Sequence, residues 1–209
     1  MVTEVNGEFQ PAPRSGTISY IRAWLVKDLE WDWKTLTFES YEQLFDRSVR
    51  EMAYVATDDP DLSGLRESGG KLMITQGGCD QVIPHMGNVD YYRRVIEATG
   101  SEAATRAFAR FFLSEGDGHG CCRDNGPGAT IADAMAALMK WVERGEAPDE
   151  VLGRTLDPVT YKTLMTRPIY AYPYVPQYRG EGAATEAASF KPVHFSERAK
   201  LSERAKLSS

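Results

Sequence analysis

Apolar side chains recur at helical spacing in three stretches of the chain and run unbroken in two short ones. Over residues 40–56, Leu44, Phe45, Val49, Met52 and Val55 fall at intervals of three and four, which predicts a helix. Val89, Tyr92, Val95 and Ile96 share a face of a second helix over 86–99, and Gly100 is placed to stop it. Met135, Leu138, Met139, Trp141 and Val142 give a third helix a broad apolar face; Thr130 is placed to cap it and it ends near Gly145. The runs 72–74 (Leu-Met-Ile) and 111–113 (Phe-Phe-Leu) have the pattern of strands buried on both faces of a parallel sheet.

Between these elements the pattern is weaker. Residues 1–19 read as irregular around Pro11 and Pro13, and residues 20–26 fit a strand or a short helix. Trp31-Asp32-Trp33 reads as a loop whose two rings seal a core edge. Residues 58–63 form a turn, with Leu62 and Leu65 packing ahead of the Gly69-Gly70 turn. A short polar stretch, 101–106, precedes the second strand, and Gly126-Pro127-Gly128 is a turn. Residues 167–190, rich in Pro, Tyr and Gly, read as extended and wrapping. The hexamer Ser-Glu-Arg-Ala-Lys-Leu occurs at 196–201 and again at 202–207, so residues 193–209 are set aside as a repetitive tail outside the fold.

Each apolar run ends in glycines followed by a side chain capable of acid–base chemistry. The first breaks on Gly77-Gly78 and presents Asp80; the second leads through Ser114-Glu115-Gly116-Asp117-Gly118 to His119. Loops at the C-terminal ends of parallel strands are where α/β proteins place their sites. Strand, Asp, helix, strand, His is the chain order of the back half of an α/β-hydrolase triad, in which the serine comes first. In that logic the aspartate orients the imidazole and the imidazole takes the nucleophile's proton, so Asp80 is expected to accept a hydrogen bond from His119. No Gly-x-Ser-x-Gly and no Cys-Ser occurs in the chain. His85 lies one turn into the next segment and is read as facing solvent or contacting substrate, His194 adjoins the tail, and Asp117 sits too close to His119 to be its usual orienter.

Composition narrows the function without naming it. With 209 residues the chain has room for a real core, and 42% hydrophobic with 26% charged residues is ordinary for a globular protein. A net charge of −6 argues against nucleic acid or an anionic membrane as partner. No apolar run approaches the roughly 20 residues needed to span a bilayer, and residues 1–13 carry no signal-peptide core. Three cysteines are too few for a disulfide scaffold. Cys79, Asp80, His119, Cys121 and Cys122 could supply metal ligands, but no pair has the Cys-x-x-Cys spacing of a zinc knuckle, so neither metal nor cofactor is expected.

The order of short motifs resembles that of the tannase/feruloyl esterase family over about residues 20–192. It runs through Trp31-Asp32-Trp33, Asp58-Asp59-Pro60-Asp61-Leu62, Gly69-Gly70-Lys71-Leu72, Gly78-Cys79-Asp80-Gln81-Val82-Ile83-Pro84 and Asp90-Tyr91-Tyr92. It continues with Gly116-Asp117-Gly118-His119, Gly126-Pro127-Gly128, Trp141-Val142-Glu143-Arg144-Gly145-Glu146-Ala147-Pro148, Arg167-Pro168, Tyr172-Pro173, Tyr178-Arg179-Gly180 and Ala187-Ala188-Ser189-Phe190. The resemblance implies an α/β-hydrolase that cleaves esters of aromatic acids, with Asp80 and His119 as triad acid and base, and a secreted or periplasmic location. It also implies an organisation: residues 1–38 as the end of a lid insertion, 39–192 as the C-terminal part of the hydrolase domain, a parallel sheet with flanking helices. The chain departs from the family in three places. The family's Cys-Ser-x-Gly-Gly elbow is missing, so the chain resembles the C-terminal portion of a longer protein and is expected to need the N-terminal half or to self-associate. The family's His-Cys, whose cysteine bridges to the one before the serine, is replaced by His119-Gly120-Cys121-Cys122. That leaves a bridge from Cys79 to Cys121 or Cys122 open if Cα atoms come within about 7 Å. Cysteines that members place near Ile169-Tyr170 and after Phe190 are absent together.

Overall fold

The structure, a computed structural model, describes residues 2–11, 15–120 and 128–196. The chain divides into two compact units, Met1–Asp59 and Pro60–Ser209, where the sequence reading set its first boundary at 38/39.

The first unit begins with an antiparallel hairpin of β1 (Val2–Val5) and β2 (Glu8–Pro11), where the sequence reading expected irregular chain. Its turn is Asn6-Gly7, both residues at positive φ (54° and 80°), the two-residue turn whose twist suits a hairpin. The ambiguous stretch that follows is helical: α1 (Ser15–Tyr20) passes into a wider π-helical turn, Ile21–Val26, closed by Lys27 at φ 59°. α2 (Phe38–Glu51) starts at a capping box between Thr37 and Ser40. Tyr20 Oη lies 2.7 Å from Ser48 Oγ, and Arg47 donates to the Leu25 carbonyl at 2.7 Å, tying α2 to the preceding helix. No residue of α2 is buried, so its apolar stripe of Phe38, Tyr41, Phe45 and Val49 stays exposed. Trp31 and Trp33 are half-buried.

The second unit is built around β4 (Ala109–Ser114), paired in parallel with β3 (Leu72–Gly77) from Leu72↔Ala109 to Gly77↔Ser114. Successive β4 side chains enter opposite layers, as the two-residue period of a strand demands. Phe111 packs with Val89, Tyr92, Phe108 and Tyr172, beneath α4 (His85–Thr99). Phe112 packs with Ile131, Val151, Ile169 and Ala171, with Ala134 and Ala137 of α6 (Ala134–Arg144) alongside. This two-sided burial explains the unbroken apolar run. α4 ends at Gly100, φ 96°, whose N–H bonds the Ile96 carbonyl at 3.0 Å.

Several elements were not anticipated. Residues 101–106 contain α5 (Glu102–Arg106), capped by Ser101, and α3 (Ser63–Glu67) follows the 58–63 turn. Thr130 does not cap α6; it lies in the short strand β5 (Thr130–Ile131), and Asp133 is the residue that precedes the helix. β5 pairs antiparallel with β6 (Glu150–Leu156), and β6 with β7 (Thr163–Tyr170). The extended character of 167–190 is present in β7 and in β8 (Tyr174–Tyr178), which pairs with β9 (Phe190–His194). The expected turn residues Gly126 and Pro127, and the tandem hexamers beyond Ser196, lie outside the described residues.

Candidate active site

The parallel pairing of β3 and β4 delivers two loops to one sheet edge, and glycine lets them touch. A Cβ on Gly77 would stand 2.5 Å from the Asp117 carbonyl oxygen, and one on Gly78 2.8 Å from Glu115 Cα. Backbone hydrogen bonds lock the approach: Gly78 N–H to the Ser114 carbonyl at 2.7 Å, and Cys79 N–H to the Asp117 carbonyl at 2.9 Å. Asp80 and His119 are carried on these two loops.

His119 Nδ1 lies 3.1 Å from each oxygen of the Asp80 carboxylate. The Asp80 side chain is 5% exposed and the imidazole 41%, so the acid is sunk behind the base. Asp80 Oδ1 also accepts the N–H groups of Val82 (2.7 Å) and Ile83 (2.9 Å), and Oδ2 accepts the Gln76 amide at 2.9 Å. Burial pushes the carboxyl upward, but these donors, Ile83 and Val82 first and then His119 and Gln76, outweigh it and hold Asp80 well below the usual carboxylate range. The acid is therefore charged at neutral pH. An imidazole whose Nδ1 faces a fixed carboxylate presents Nε2 for proton exchange, the arrangement a general base requires.

The other candidates fall elsewhere. Asp117 is buried, and it accepts the Gly118 N–H at 3.0 Å and the Thr130 hydroxyl at 2.9 Å. It braces the histidine loop against β5 while Asp80 takes the imidazole. His85 opens α4, half-buried, and is not among the residues lining the His119 cleft. His194 Nδ1 is 2.8 Å from Ser196 Oγ. Cys79 is an exposed free thiol whose Sγ is 3.3 Å from the Glu115 carbonyl oxygen; Cys121 and Cys122 lie outside the described residues. Among the described residues no three His, Cys, Asp or Glu side chains are grouped as metal ligands would be.

A cleft of about 220 Å³ opens at the pair, lined by Gln76, Asp80, Ile83, Asp117, His119 and Thr130 among others. A larger one, about 510 Å³, is lined by Glu115, Met165, Arg167, Tyr178 and Phe190 and includes neither Asp80 nor His119. The Asp80–His119 geometry, rather than volume, makes the smaller cleft the candidate site. The sequence pattern singles out Asp80 and His119, which the structure brings into contact, but not Gln76 or the amides of Val82 and Ile83. An Asp two and three residues ahead of backbone N–H groups in a strand-to-helix loop was the available signal.

With that geometry in view, the profile of the family described as tannase and feruloyl esterase matches residues 10–193. The chain belongs to this family. It is 35% identical over 187 residues to a probable feruloyl esterase of Arthroderma benhamiae, covering 89% of this chain and 34% of that protein. It is 30% identical over 184 residues to a mono(2-hydroxyethyl) terephthalate hydrolase of Piscinibacter sakaiensis, covering 88% of this chain and 29% of that protein. The crystal structure of feruloyl esterase B from Aspergillus oryzae superposes with a TM-score of 0.70 at 25% identity, over 87% of this chain and 38% of that one. The fold is accordingly of α/β-hydrolase type, and the chain spans about a third of the length of these relatives. Among the described residues no helix is long and apolar enough to cross a membrane.

Proposed function

We propose that this chain is the acid–base section of a carboxylic ester hydrolase acting on esters of aromatic acids. Asp80 holds His119 with Nδ1 toward the carboxylate and stabilises the imidazolium, and Nε2 draws the proton from a serine and returns it to the leaving alcohol. The contact of 3.1 Å between His119 Nδ1 and both Asp80 oxygens, at the C-terminal ends of two parallel strands, is the observation that carries this reading. Membership of a family with feruloyl esterases among its relatives supports the ester bond and the aromatic acyl group. On this reading residues 1–38 are the end of a lid, residues 39–192 the last part of the hydrolase domain, and the setting is secreted or periplasmic.

The serine comes from other polypeptide. These 209 residues contain neither a Cys-Ser nor a Gly-x-Ser-x-Gly elbow, so no nucleophile is presented with its oxyanion-hole amides. The same absence favours a second reading, in which the chain is a complementing partner, or non-catalytic, unless a serine-bearing polypeptide joins it. Removing the nucleophile costs on the order of 10⁶-fold in serine hydrolases. Hydrolysis of a methyl hydroxycinnamate by the chain alone should therefore not exceed that of His119→Ala. Covalent or co-expressed addition of a polypeptide carrying Cys-Ser-x-Gly-Gly should restore turnover that His119→Ala abolishes. Turnover by the chain alone, well above the His119→Ala control, overturns the reading.

A further inference from the structure

We propose that Gln76 and Asn88 form a positioning relay for the acid–base pair: Asn88 reinforces the way round in which the Gln76 amide sits, and Gln76 fixes the rotation of the Asp80 carboxylate. The proposal rests on the reading of Asp80 and His119 as acid and base. It concerns two residues that act through Asp80: Gln76 lines the cleft and bonds the carboxylate, and Asn88 reaches it through Gln76.

Gln76 Nε2 faces three acceptors, Asp80 Oδ2 at 2.9 Å and the carbonyls of Gly77 and Ile83 at 3.3 and 3.4 Å. Its Oε1 faces one donor, Asn88 Nδ2, at 2.5 Å. A carboxylate and two carbonyls only accept, so the amide is satisfied in a single orientation. Turned over, its oxygen would oppose the Asp80 charge and its NH₂ would oppose the Asn88 NH₂. The three acceptors set the orientation in which Gln76 donates, and Asn88 reinforces it by donating to Oε1.

That donor meets Oδ2 from the side of β3, whereas His119 Nδ1 lies between the two oxygens. The amides of Val82 and Ile83 both bind Oδ1 and so leave the carboxylate able to swing about that oxygen. Gln76 binds Oδ2 and closes the second end, which keeps both oxygens 3.1 Å from His119 Nδ1. Gln76 stands in β3 and Asn88 in the first turn of α4, so the loop carrying Asp80 is clasped from the strand before it and the helix after it. Anchoring an orienting group through rigid elements is how supporting hydrogen bonds keep reacting groups within a fraction of an ångström. Asp117, the other carboxylate lining the cleft, bonds Gly118 and Thr130.

The test reads the tautomer of the neutral His119 ring in the full chain, by nitrogen NMR of histidine-labelled protein, with His85 and His194 assigned by single substitution. In the native chain Asp80 holds the proton on Nδ1; Asp80→Ala should release it to Nε2. Gln76→Met keeps length and bulk while removing both polar ends, and should shift His119 from mainly Nδ1–H toward mainly Nε2–H. Asn88→Asp is isosteric but cannot donate to Oε1; it should turn the Gln76 amide over and produce the same shift. On a Gln76→Met background Asn88→Asp should have no further effect, a non-additivity that a merely loop-closing role does not give. Backbone amide spectra establish that each variant is folded, and either single variant suffices if the other is not. A shift with Asp80→Ala but none with Gln76→Met or Asn88→Asp overturns the relay and leaves the acid–base pair standing. An Asn88→Asp effect that persists in full without Gln76 overturns the role of Asn88. No shift with Asp80→Ala overturns the acid–base reading and the relay with it.

Discussion

Adding one methyl group at Gly77 should break the site without touching either functional side chain. Gly77 ends β3 where the 115–119 loop crosses it, and an alanine Cβ there would lie 2.5 Å from the Asp117 carbonyl oxygen and 2.8 Å from its carbon. The Gly118 carbonyl oxygen is closer still. Ordinary contact begins near 3.4 Å, so the loops must part by close to 1 Å. The obstructing atoms are backbone on both sides, and no flexible side chain can yield. A displacement of that size takes His119 Nδ1 from 3.1 Å to about 4 Å from Asp80, outside hydrogen-bond range. Overpacking of this kind typically costs about 1–3 kcal/mol. With a urea m-value of about 2 kcal/mol/M, the unfolding midpoint of Gly77→Ala should fall by about 0.5–1.5 M. Histidine ring NMR should show loss of the Nδ1–H tautomer. Gly64 is the control: it lies in α3 at ordinary φ with nothing within 4 Å of a new Cβ. Gly64→Ala should therefore be neutral or stabilising by up to about 1 kcal/mol. An unchanged midpoint and an unchanged ring spectrum in Gly77→Ala would refute the close-approach argument.

Three further outcomes are expected. Phe112→Ala removes a fully buried ring from the layer between β4 and β7 and should cost about 3–5 kcal/mol by urea denaturation, against about 1 kcal/mol or less for truncating exposed Val159. The folded-state pKa of Asp80 is depressed, so the stability it contributes is present above its unfolded value near 3.9 and is lost as pH falls through the lower folded value. The difference in urea midpoint between the native chain and Asp80→Ala should accordingly hold from about pH 7 to pH 5 and close only below about pH 4; closure already at pH 6 counts against a depressed Asp80. Finally, the isolated chain should self-associate or unfold at modest temperature, as sedimentation and thermal scans report, and a monomer melting sharply above about 60 °C would contradict that expectation.

What could be read in the sequence was whatever depends on burial on both sides. The runs through Ile74 and Phe111-Phe112 identified the two parallel strands because neither face meets water, and the glycines after them marked where loops could meet. The contact of Asp80 with His119 is expected from those two facts only together with the triad order, in which the acid orients the imidazole. Asn6-Gly7 signals the N-terminal hairpin, but Pro11 and Pro13 beside it give the stretch the local pattern of irregular chain. β6 was hidden because Gly153 breaks its alternation, and only the fold explains that glycine: a Cβ would meet Ile169 Cδ1 at 2.6 Å and Ala129 Cβ at 2.9 Å. Thr130 looks like a helix cap from its position, but its hydroxyl goes to Asp117, a contact set by tertiary packing that no local pattern encodes. α2 shows the limit of periodicity itself, which says that a face wants burial and not what will cover it.

The acid–base pair is assembled from the second unit's own core, yet the strand that carries the acid is not itself enclosed. Among the described residues β3 pairs only with β4, and its side chains are mostly half-buried where those of β4 are mostly buried. Parallel strands are ordinarily covered on both faces and flanked, and an unpaired edge is a template for another strand. α6, packed near β3, leaves Met135, Met139 and Val142 more than half exposed. A strand added in parallel along the open edge of β3 would end beside Gly77, on the same side as the Asp80 and His119 loops. That is the side on which a hydrolase presents its nucleophile elbow at the top of a strand. We propose that self-association and complementation by a serine-bearing polypeptide both use this edge, in a register that ends beside the Asp80 and His119 loops. Complementation and self-association are thus competing uses of one surface. A serine-bearing partner that restores turnover should also turn self-associated chain into a discrete complex, and turnover restored without any change in association state would place the partner elsewhere.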